Sequence, residues 1–291
     1  MSDFIFAPAD QPSLPIAGAA DRFPVRRIFC VGRNYAAHAA EMGNEVDRDA
    51  PFYFTKSAHA LLQSGQDMPY PQATHDLHHE IELVVAIGPS VGLTNPPADE
   101  VAIFGYAVGL DMTRRDLQAA AKDGRKPWDT GKDFENAAII GAITPAEGAL
   151  LDAAHIRLDV NGDLRQTAPL SDMIHSVKAI IAHLSTLYHL RSGDLIMTGT
   201  PAGVAAVVRG DKLVGIVRRK LCLRGLWSGR HIRFDLIADN LGRGRRQGPA
   251  KVAVAGVVID ARTLARIDLG QHVRHHRTQA RPRDRVFGDD V

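Results

Sequence analysis

Three carboxylates in the first half of the chain have the types and the spacing of a metal site. Glu80 and Glu82 stand one residue apart in segment 79–87, whose apolar side chains alternate as they do in a half-buried strand. The two glutamates therefore share the opposite face, with backbones roughly 7 Å apart. Asp111 ends a second apolar strand, 105–111. Such a set can hold a hard cation such as Mg²⁺ while leaving positions open for water and substrate. The alternative is a solvated strand face and a helix-capping aspartate.

A histidine and a glutamate at helical spacing could activate water. Segment 34–43 is rich in alanine and predicts a short helix, with Asn34 as its N-cap and Gly43 just after its end. His38 and Glu41 are three residues apart, so both side chains project from one face of that helix. A carboxylate beside an imidazole fixes the tautomer and raises the basicity, as a general base near neutral pH requires. The alternative is an exposed pair on a surface helix.

The elements that must position these groups are mostly strands. A longer helix with one apolar stripe is predicted over 174–188, capped by Ser171 or Asp172. Because strands dominate, helices are few and short, and the order is not a regular strand–helix alternation, the predicted fold class is α+β with a largely mixed sheet. The predicted strands are 27–32, 51–56, 79–87 and 105–111, with a further buried strand between a turn and a Gly/Pro loop in 193–201. Asn161-Gly162 predicts a hairpin over 158–165.

The composition is that of an ordinary globular protein of a reducing compartment. Of 291 residues, 45% are hydrophobic and 23% are charged, which allows a substantial core. Two cysteines, Cys30 and Cys222, exclude a disulfide framework or a thiolate metal site. The sequence lacks an apolar run long enough for a membrane span and the pattern of a signal peptide. We therefore predict a cytoplasmic protein with no membrane partner.

The charge distribution divides the chain. The formal net charge is +2, yet residues 215–291 hold 15 Arg and 2 Lys against 7 Asp and no Glu. We predict an irregular lead-in over residues 1–25, a catalytic domain over 26–215, and an Arg-rich, poorly ordered tail over 216–291. A basic tail could bind nucleic acid, but it has few aromatic residues to stack on bases, so this is the weaker interpretation.

Four local patterns occur along the chain in this order: Gly32-Arg33-Asn34-Tyr35-Ala36-Ala37-His38 with Glu41, then His78-His79-Glu80-Ile81-Glu82-Leu83, then Gly109-Leu110-Asp111-Met112-Thr113-Arg114-Arg115-Asp116-Leu117-Gln118, and Thr198-Gly199-Thr200-Pro201-Ala202-Gly203-Val204. Together they closely resemble the fumarylacetoacetate hydrolase family, and within it the short acylpyruvate and fumarylpyruvate hydrolases. Two positions depart from the family pattern. Ser57 follows Lys56 where relatives usually have proline, and Asp133 places an acid beside Lys132.

The resemblance implies a fold, a metal ion and an assembly. The implied fold is β-rich and mixed with few short helices, the metal and substrate lie between strands, and the protein forms a homodimer. The implied ligands of Mg²⁺ or Mn²⁺ are Glu80, Glu82 and Asp111, and the implied substrate-binding residues are Arg33, Lys56 and Thr200. For Arg33 and Lys56, the alternative is a surface cation.

The implied reaction is hydrolysis of the C–C bond between two carbonyls of a 2,4-diketo acid. We expect the diketo acid to chelate the metal, and His38, oriented by Glu41, to deprotonate a water that attacks the distal carbonyl. Lys132 and Gln118 would stabilise the oxyanion, and the metal would stabilise the departing pyruvate enolate. The expected substrate is fumarylpyruvate from gentisate-type aromatic catabolism. The alternatives are oxaloacetate decarboxylation or tautomerisation on the same fold, which needs no attacking water, and an inactive protein whose basic tail binds nucleic acid.

Overall fold

Strands make up most of the structure. The computed structural model describes residues 4–43, 48–89, 99, 101–146, 154–219 and 251–259. Within these residues the α-helices are α1 Ala36–Glu41, α2 Arg115–Asp123, α3 Asp129–Lys132 and α4 Val177–Leu187, and two 3₁₀ turns cover Ala58–Ala60 and Leu170–Asp172. The strands are β1 Ser13–Pro15, β2 Arg22–Pro24, β3 Arg27–Gly32, β4 Phe52–Lys56, β5 Leu61–Gln63, β6 Asp67–Pro69, β7 Leu77–His79, β8 Ile81–Ile87, β9 Ile103–Asp111, β10 Thr113–Arg114, β11 Ala138–Ile140, β12 Thr144–Pro145, β13 Ala154–Val160, β14 Asp163–Pro169, β15 Asp194–Met197, β16 Ala205–Ala206, β17 Lys212–Arg219 and β18 Lys251–Ile259. The predicted α+β class with few short helices is confirmed.

The largest sheet has eight strands and carries the carboxylates. Its strand order is β4-β3-β15-β8-β9-β11-β5, with β12 also paired to β9. β15 runs parallel to β3 and antiparallel to β8, so the sheet is mixed, as predicted. In the antiparallel β8–β9 pair, Ile81 lies opposite Leu110 and Glu82 opposite Gly109. This register places the two glutamates beside the end of β9, where Asp111 stands.

A five-stranded sheet in the order β14-β13-β17-β18-β6 accompanies the first sheet. Its β13–β14 hairpin turns at Asn161-Gly162, where φ is 55° and 92°. Two successive residues in the left-handed region are what a type I′ hairpin turn requires, and asparagine followed by glycine adopts them most readily. The hairpin predicted over 158–165 is therefore confirmed.

β8 is buried along its whole length, which corrects the prediction of a half-buried strand. One face, Ile81, Leu83, Val85 and Ile87, packs in a core with residues of β13 and α4. The other face, Val84 and Ala86, packs in a second core with Leu14 and Phe23 of the β1–β2 hairpin. Alternation in the sequence showed which residues share a face, but it could not show that both faces are covered.

Two helices begin later than the sequence suggested. α1 starts at Ala36 and lacks a side-chain cap, because Asn34 instead donates from Nδ2 to the Thr198 and His175 carbonyls. α4 starts at Val177 and is capped by Ser176, whose Oγ accepts the Ala179 N–H at 3.2 Å. Ser171 and Asp172, the predicted caps, belong to the preceding 3₁₀ turn. In both places a polar residue was available for capping and tertiary contacts decided which one caps.

Regular strands extend beyond both predicted limits of the catalytic domain, residues 26 and 215. Residues 1–25, predicted to be irregular, contain β1 and β2, which pair antiparallel. β17 runs through position 215, and β18, inside the predicted tail, pairs parallel with it. Residues 220–250 and 260–291 lie outside the described residues, so the order of the tail stays a prediction. In the described part of the chain, no helix has the length and hydropathy to cross a membrane.

Candidate metal centre and catalytic site

The three carboxylates predicted as metal ligands meet in the structure. Glu80, Glu82 and Asp111 each place an oxygen within 4.8 Å of the others, and all three are buried. The backbone fixes this geometry, because the Asp111 N–H donates to the Glu80 carbonyl at 2.9 Å and so joins the ends of the two strands. An approach this close between three buried carboxylates is costly unless cations neutralise it.

The two glutamates differ in how their charge is compensated. Burial disfavours the charge of Glu80, but Lys132 and Arg115 outweigh it and hold the pKa of this carboxyl below its usual range. Burial and the charges of Asp111 and Glu80 raise the pKa of Glu82 well above its usual range. Within the described residues, Glu82 has one hydrogen bond, from the Gly199 N–H to Oε2 at 2.7 Å. Of the three carboxylates, Glu82 is therefore the one that forms no ion pair with a described residue.

Two buried lysines bind the other two carboxylates. Lys132 Nζ donates to Glu80 Oε2 at 2.8 Å, Asp111 Oδ2 at 2.7 Å and Thr113 Oγ1 at 2.7 Å. Burial alone would lower the pKa of Lys132, yet Asp111 and Glu80 raise it. Lys56 Nζ lies 2.8 Å from Asp111 Oδ1 and donates to the carbonyls of Met112 and Lys132. An ammonium group has three donors, so Lys132 is fully engaged. Among the described residues, Asp111 Oδ1 has no hydrogen-bond partner, although Lys56 Nζ lies close to it.

The donor set fits a hard divalent cation. Three buried carboxylates from two adjacent strands supply the oxygen ligands that Mg²⁺ and Mn²⁺ prefer. Glu82, with its raised pKa and single hydrogen bond, shows that the protein's own cations leave part of this charge uncompensated. A divalent ion beside Glu82 would supply the missing charge. The neighbouring His79 is not part of the cluster, since its Nδ1 lies 2.9 Å from Gln166 Oε1.

His38 and Glu41 lie on one face of α1, as predicted, beside the carboxylates. His38 Nδ1 is 3.5 Å from Glu41 Oε2, a long contact of a kind that often tightens when substrate binds. His38 is buried, and its burial lowers its pKa below the usual 6.5, against the opposing effects of Glu80 and Glu41. A neutral imidazole near pH 7 is the form that a general base needs.

One loop, which contains Gly199 and Gly203, donates hydrogen bonds both to the carboxylate cluster and to the histidine–glutamate pair. Gly199 donates to Glu82, and the Gly203 N–H donates to both Glu41 oxygens at 3.1 and 3.0 Å. Both glycines have φ of +96°, and a Cβ at Gly203 would lie 2.2 Å from the Arg165 carbonyl. Gln166 fixes the loop to β8, because it donates to Thr200 Oγ1 and the Pro201 carbonyl and accepts the Ile81 N–H. The loop therefore sets the positions of a candidate ligand and of the candidate base's partner.

Arg115, which the sequence interpretation left without a role, links three site residues. Its guanidinium donates to Glu80 Oε1 and, at 2.6 Å, to Gln118 Oε1. Its Nε also lies 3.4 Å from His78 Nδ1. The spacing from Arg115 to Gln118 on α2 was the available signal, since residues three apart share a helix face. With its oxygen occupied, Gln118 presents its amide nitrogen as a donor.

The predicted substrate-binding residues occupy different depths. Arg33 and Thr200 line one small cavity, of about 30 Å³, together with His38, Gln118 and the carboxylates. That space holds one water or ion. Lys56 is buried behind Asp111, so the surface-cation alternative is wrong for it. An outer cavity of about 420 Å³ shares Phe54, Trp128 and Lys132 with the small one.

The two departures from the family pattern contact each other. The Ser57 N–H donates to Asp133 Oδ1 at 2.8 Å. A proline at position 57 would have no N–H to donate, so the serine and the aspartate depend on one another. This bond turns the Asp133 carboxylate toward Ser57 and away from the neighbouring Lys132 ammonium, whose three donors have other partners.

A buried carboxylate triad beside a histidine–glutamate pair, on a mixed sheet, defines a metal-assisted hydrolase site. The family described as fumarylacetoacetate (FAA) hydrolase C-terminal matches residues 27–243. The chain belongs to the fumarylacetoacetate hydrolase family, and it is an enzyme of the C–C bond hydrolase type.

The similar proteins include two kinds of enzyme. A fumarylpyruvate hydrolase of Ralstonia sp is 50% identical over 179 residues, which are 60% of this chain and 93% of the relative. An oxaloacetate tautomerase of Escherichia coli (strain K12) is 38% identical over 198 residues, 67% of this chain and 90% of the relative. The crystal structure of fumarylpyruvate hydrolase from Pseudomonas aeruginosa with Mn²⁺ and pyruvate matches with a TM-score of 0.69 and 44% identity, covering 74% and 94% of the two chains. That complex and the triad together support a divalent metal.

Proposed function

We propose that the enzyme hydrolyses a 2,4-diketo acid, with fumarylpyruvate cleaved to fumarate and pyruvate. The observation that carries the proposal is that a buried, neutral His38 lines the same cavity as Glu80, Glu82 and Asp111. Hydrolysis needs a base for water next to a centre that binds a 2-oxo acid, and this cavity offers both. The fumarylpyruvate hydrolases similar to this chain support the choice of substrate.

The three carboxylates are the residues that would hold Mg²⁺ or Mn²⁺. A bound divalent ion supplies positive charge for the 2-oxo acid end of the substrate and for the negative charge that develops there. Glu80 and Asp111 are oriented by Lys132 and Lys56, and Glu82 is oriented by Gly199. Lys56 thus acts on the substrate through Asp111, as a positioning residue, because it is buried behind that carboxylate and donates to two backbone carbonyls.

His38 moves the proton. Its Nδ1 faces Glu41, so Nε2 is the atom that accepts the proton of the attacking water. The hydroxide adds to the carbonyl carbon of the acyl group, and the bond from that carbon to the methylene carbon then breaks. The electron pair goes to the pyruvate fragment, and the proton held on His38 is delivered to its methylene carbon. The acyl fragment leaves as a carboxylic acid, so atoms and charge balance.

Gln118 and Lys132 are the donors for the oxyanion. Arg115 occupies the Gln118 amide oxygen, which leaves the amide N–H groups for the tetrahedral intermediate. Lys132 must exchange one partner to reach the same oxygen, and Thr113 is its one uncharged partner. A preorganised donor lowers the barrier by about 3–4 kcal/mol. Of the two, Gln118 is the donor that needs no exchange of partners.

A substrate panel tests the proposal directly. The protein, with Mg²⁺ or Mn²⁺ and with chelator as the control, should consume fumarylpyruvate and release equal amounts of fumarate and pyruvate. Loss of diketo-acid absorbance follows the reaction, and product analysis separates cleavage from tautomerisation. Consumption without both products, or full turnover in chelator, would contradict the proposal. The homodimer, the cytoplasmic location and the role in aromatic catabolism remain proposals that rest on the resemblance.

Oxaloacetate tautomerisation is the second candidate, favoured by the similarity to the Escherichia coli tautomerase. It uses the same carboxylates and needs no attacking water. His38→Ala should lower hydrolysis by about 10²–10⁴-fold, since it removes the base. Metal binding, measured by calorimetry, should stay intact. A variant that loses hydrolysis and keeps oxaloacetate tautomerisation would separate the two reactions on one site.

A further inference from the structure

Within the part of the chain that the structure describes, two cations on the wall of the small cavity have no carboxylate counter-ion. Arg33 follows β3, and Lys122 lies in the last turn of α2; both line the small cavity beside the carboxylates. Neither forms an ion pair with a carboxylate among the described residues. The buried Lys132, by contrast, contacts two carboxylates. An anionic ligand would supply the missing partner.

An aromatic frame holds the two cations in place. The Arg33 guanidinium lies 5.8 Å from the centre of the Phe52 ring, and Lys122 Nζ lies 5.1 Å from the Trp128 ring. The two rings pack edge to face with centres 5.1 Å apart. Rings attract cations without neutralising their charge, so the frame positions two positive groups that stay available.

The strained backbone of Arg33 and the repulsion between the two cations indicate that this cavity wall has a function. Arg33 has φ of 57°, a left-handed conformation that side chains other than glycine adopt at a cost. Burial, and the charges of Arg33 and Arg115, lower the pKa of Lys122. Strain and like-charge repulsion on one cavity wall are kept where a ligand uses them.

We propose that Arg33 and Lys122, framed by Phe52 and Trp128, form a subsite for the carboxylate at the acyl end of the substrate. The inference rests on the proposed function and names its substrate class: a 2-oxo acid that carries a second carboxylate at its far end. The metal-binding carboxylates take the 2-oxo acid end. Phe52 and Trp128 also line the outer cavity, so the subsite lies on that side of the small cavity. A planar fumaryl group suits a wall of two aromatic rings.

Lys122 is the residue to test, since the sequence motif gave it no role. In Lys122→Met, the ratio of kcat/KM for fumarylpyruvate to kcat/KM for acetylpyruvate should fall about 10–100-fold, the effect of losing one charge-assisted hydrogen bond. Lys122→Arg should recover part of the ratio. The matched control is Lys126→Met, which removes a cation of the outer cavity and should leave the ratio within about twofold. Equal losses on both substrates, or an equal fall of the ratio in Lys126→Met, would overturn the proposal.

Fumarate binding gives a readout that does not depend on turnover. The chain has two tryptophans, so a Trp227→Phe background isolates the fluorescence of Trp128. Fumarate should quench it, acetate should not, and Lys122→Met should weaken fumarate binding at least about tenfold. If fumarylpyruvate is cleaved but Lys122 does not affect fumarate binding, the subsite is wrong and the proposed function stands. If no acylpyruvate is cleaved but fumarate binding depends on Lys122, the subsite stands and the proposed function falls.

Discussion

Glu82 is the candidate metal ligand whose charge the described residues compensate least. Its carboxylate accepts a single N–H and faces two other carboxylates, so its folded-state pKa is raised. A group whose pKa is raised on folding destabilises the protein as pH rises from its unfolded pKa towards its folded pKa. In chelator, the free energy of unfolding should therefore fall as pH rises above about 4.5. Added metal should reverse that loss.

Glu82→Gln tests this directly, because the amide keeps the Gly199 hydrogen bond and removes the repelled charge. In chelator at pH 7 the variant should have the same Tm as the parent or a higher one. Each kcal/mol of stability gained by removing the charge should raise the Tm by about 2–4 °C. With Mg²⁺ or Mn²⁺, the parent should gain stability and the variant should gain little. Differential scanning calorimetry with and without metal measures both. A destabilised variant in chelator would show that Glu82 is compensated in a way the contacts do not reveal.

As the proposed base, His38 should set the acid limit of activity. Burial lowers its pKa below 6.5, so it stays deprotonated to lower pH than an exposed histidine. The acid limb of kcat/KM for hydrolysis should therefore bend below pH 6.5, and a bound divalent cation would move it lower still. A pH–rate profile of the metal-loaded enzyme checks this. A limb centred above pH 6.5 would mean that the Glu41 contact dominates over burial.

At the scale of elements, the loop from Thr198 to Gly203 joins the metal half of the site to the base half. It contributes N–H donors to Glu82 and Glu41 through two glycines in the left-handed region. The sequence analysis recognised this loop as one of the four family patterns, but it gave a role only to Thr200. Its glycines matter because a side chain at Gly199 would meet Asn34, and one at Gly203 would meet the Arg165 carbonyl.

Gly203→Ala should misplace the loop and with it Glu41. The Cβ would lie 2.2 Å from the Arg165 carbonyl, so the backbone must shift and the two bonds to Glu41 are lost. We expect kcat to fall about 10–100-fold through misorientation of His38. Gly210→Ala is the matched control, because Gly210 has the same φ of +96° and open space around its Cβ. That control should cost about 1 kcal/mol in stability and leave kcat unchanged. Equal kcat values in the two variants would show that the loop does not position Glu41 for catalysis.

The sequence predicted the strands and the carboxylates because both depend on local patterns. Apolar runs located β3, β4, β8, β9 and β15, and the spacing of Glu80 and Glu82 placed them on one face. The predicted N-cap at Asn34 was wrong because the Asn34 amide has long-range partners that the local sequence does not contain. Arg115 and Gln166 received no role for the same reason, since their partners Glu80 and Ile81 are 35 and 85 residues away. Local periodicity predicts which residues share one face of a strand or helix, but the tertiary structure decides which faces pack together.

At the scale of the whole molecule, Asp194 ties the N-terminal strands to the centre of the sheet. This fully buried carboxylate at the start of β15 contacts Arg26 and Arg27 at 3.0 and 2.6 Å. It also accepts the Arg191 N–H at 2.9 Å. Because β15 lies between β3 and β8, the cluster anchors the strand on which the site's central sheet depends.

Asp194→Ala should lower the free energy of unfolding by about 1–3 kcal/mol, the range for charge-assisted hydrogen bonds lost without replacement. The two arginine side chains are 41% and 31% exposed, so they stay hydrated and the loss does not reach that of a fully buried pair. Urea denaturation gives the measurement. Arg157→Ala, which breaks an exposed pair with Asp159, should cost less than about 1 kcal/mol. A loss as small for Asp194→Ala would mean that the cluster is dispensable.

The carboxylates and the proposed base lie in elements that should unfold locally with different free energies. β8 is covered on both faces and flanked by β15 and β9, so its amide hydrogens should exchange with solvent only when the whole domain unfolds. α1 has six residues and no side-chain cap, and such a helix opens locally. Mild denaturant should therefore release the base while the carboxylates stay assembled. In that state the proposed hydrolysis should be lost, whereas tautomerisation, the second candidate reaction, should persist because it needs no attacking water.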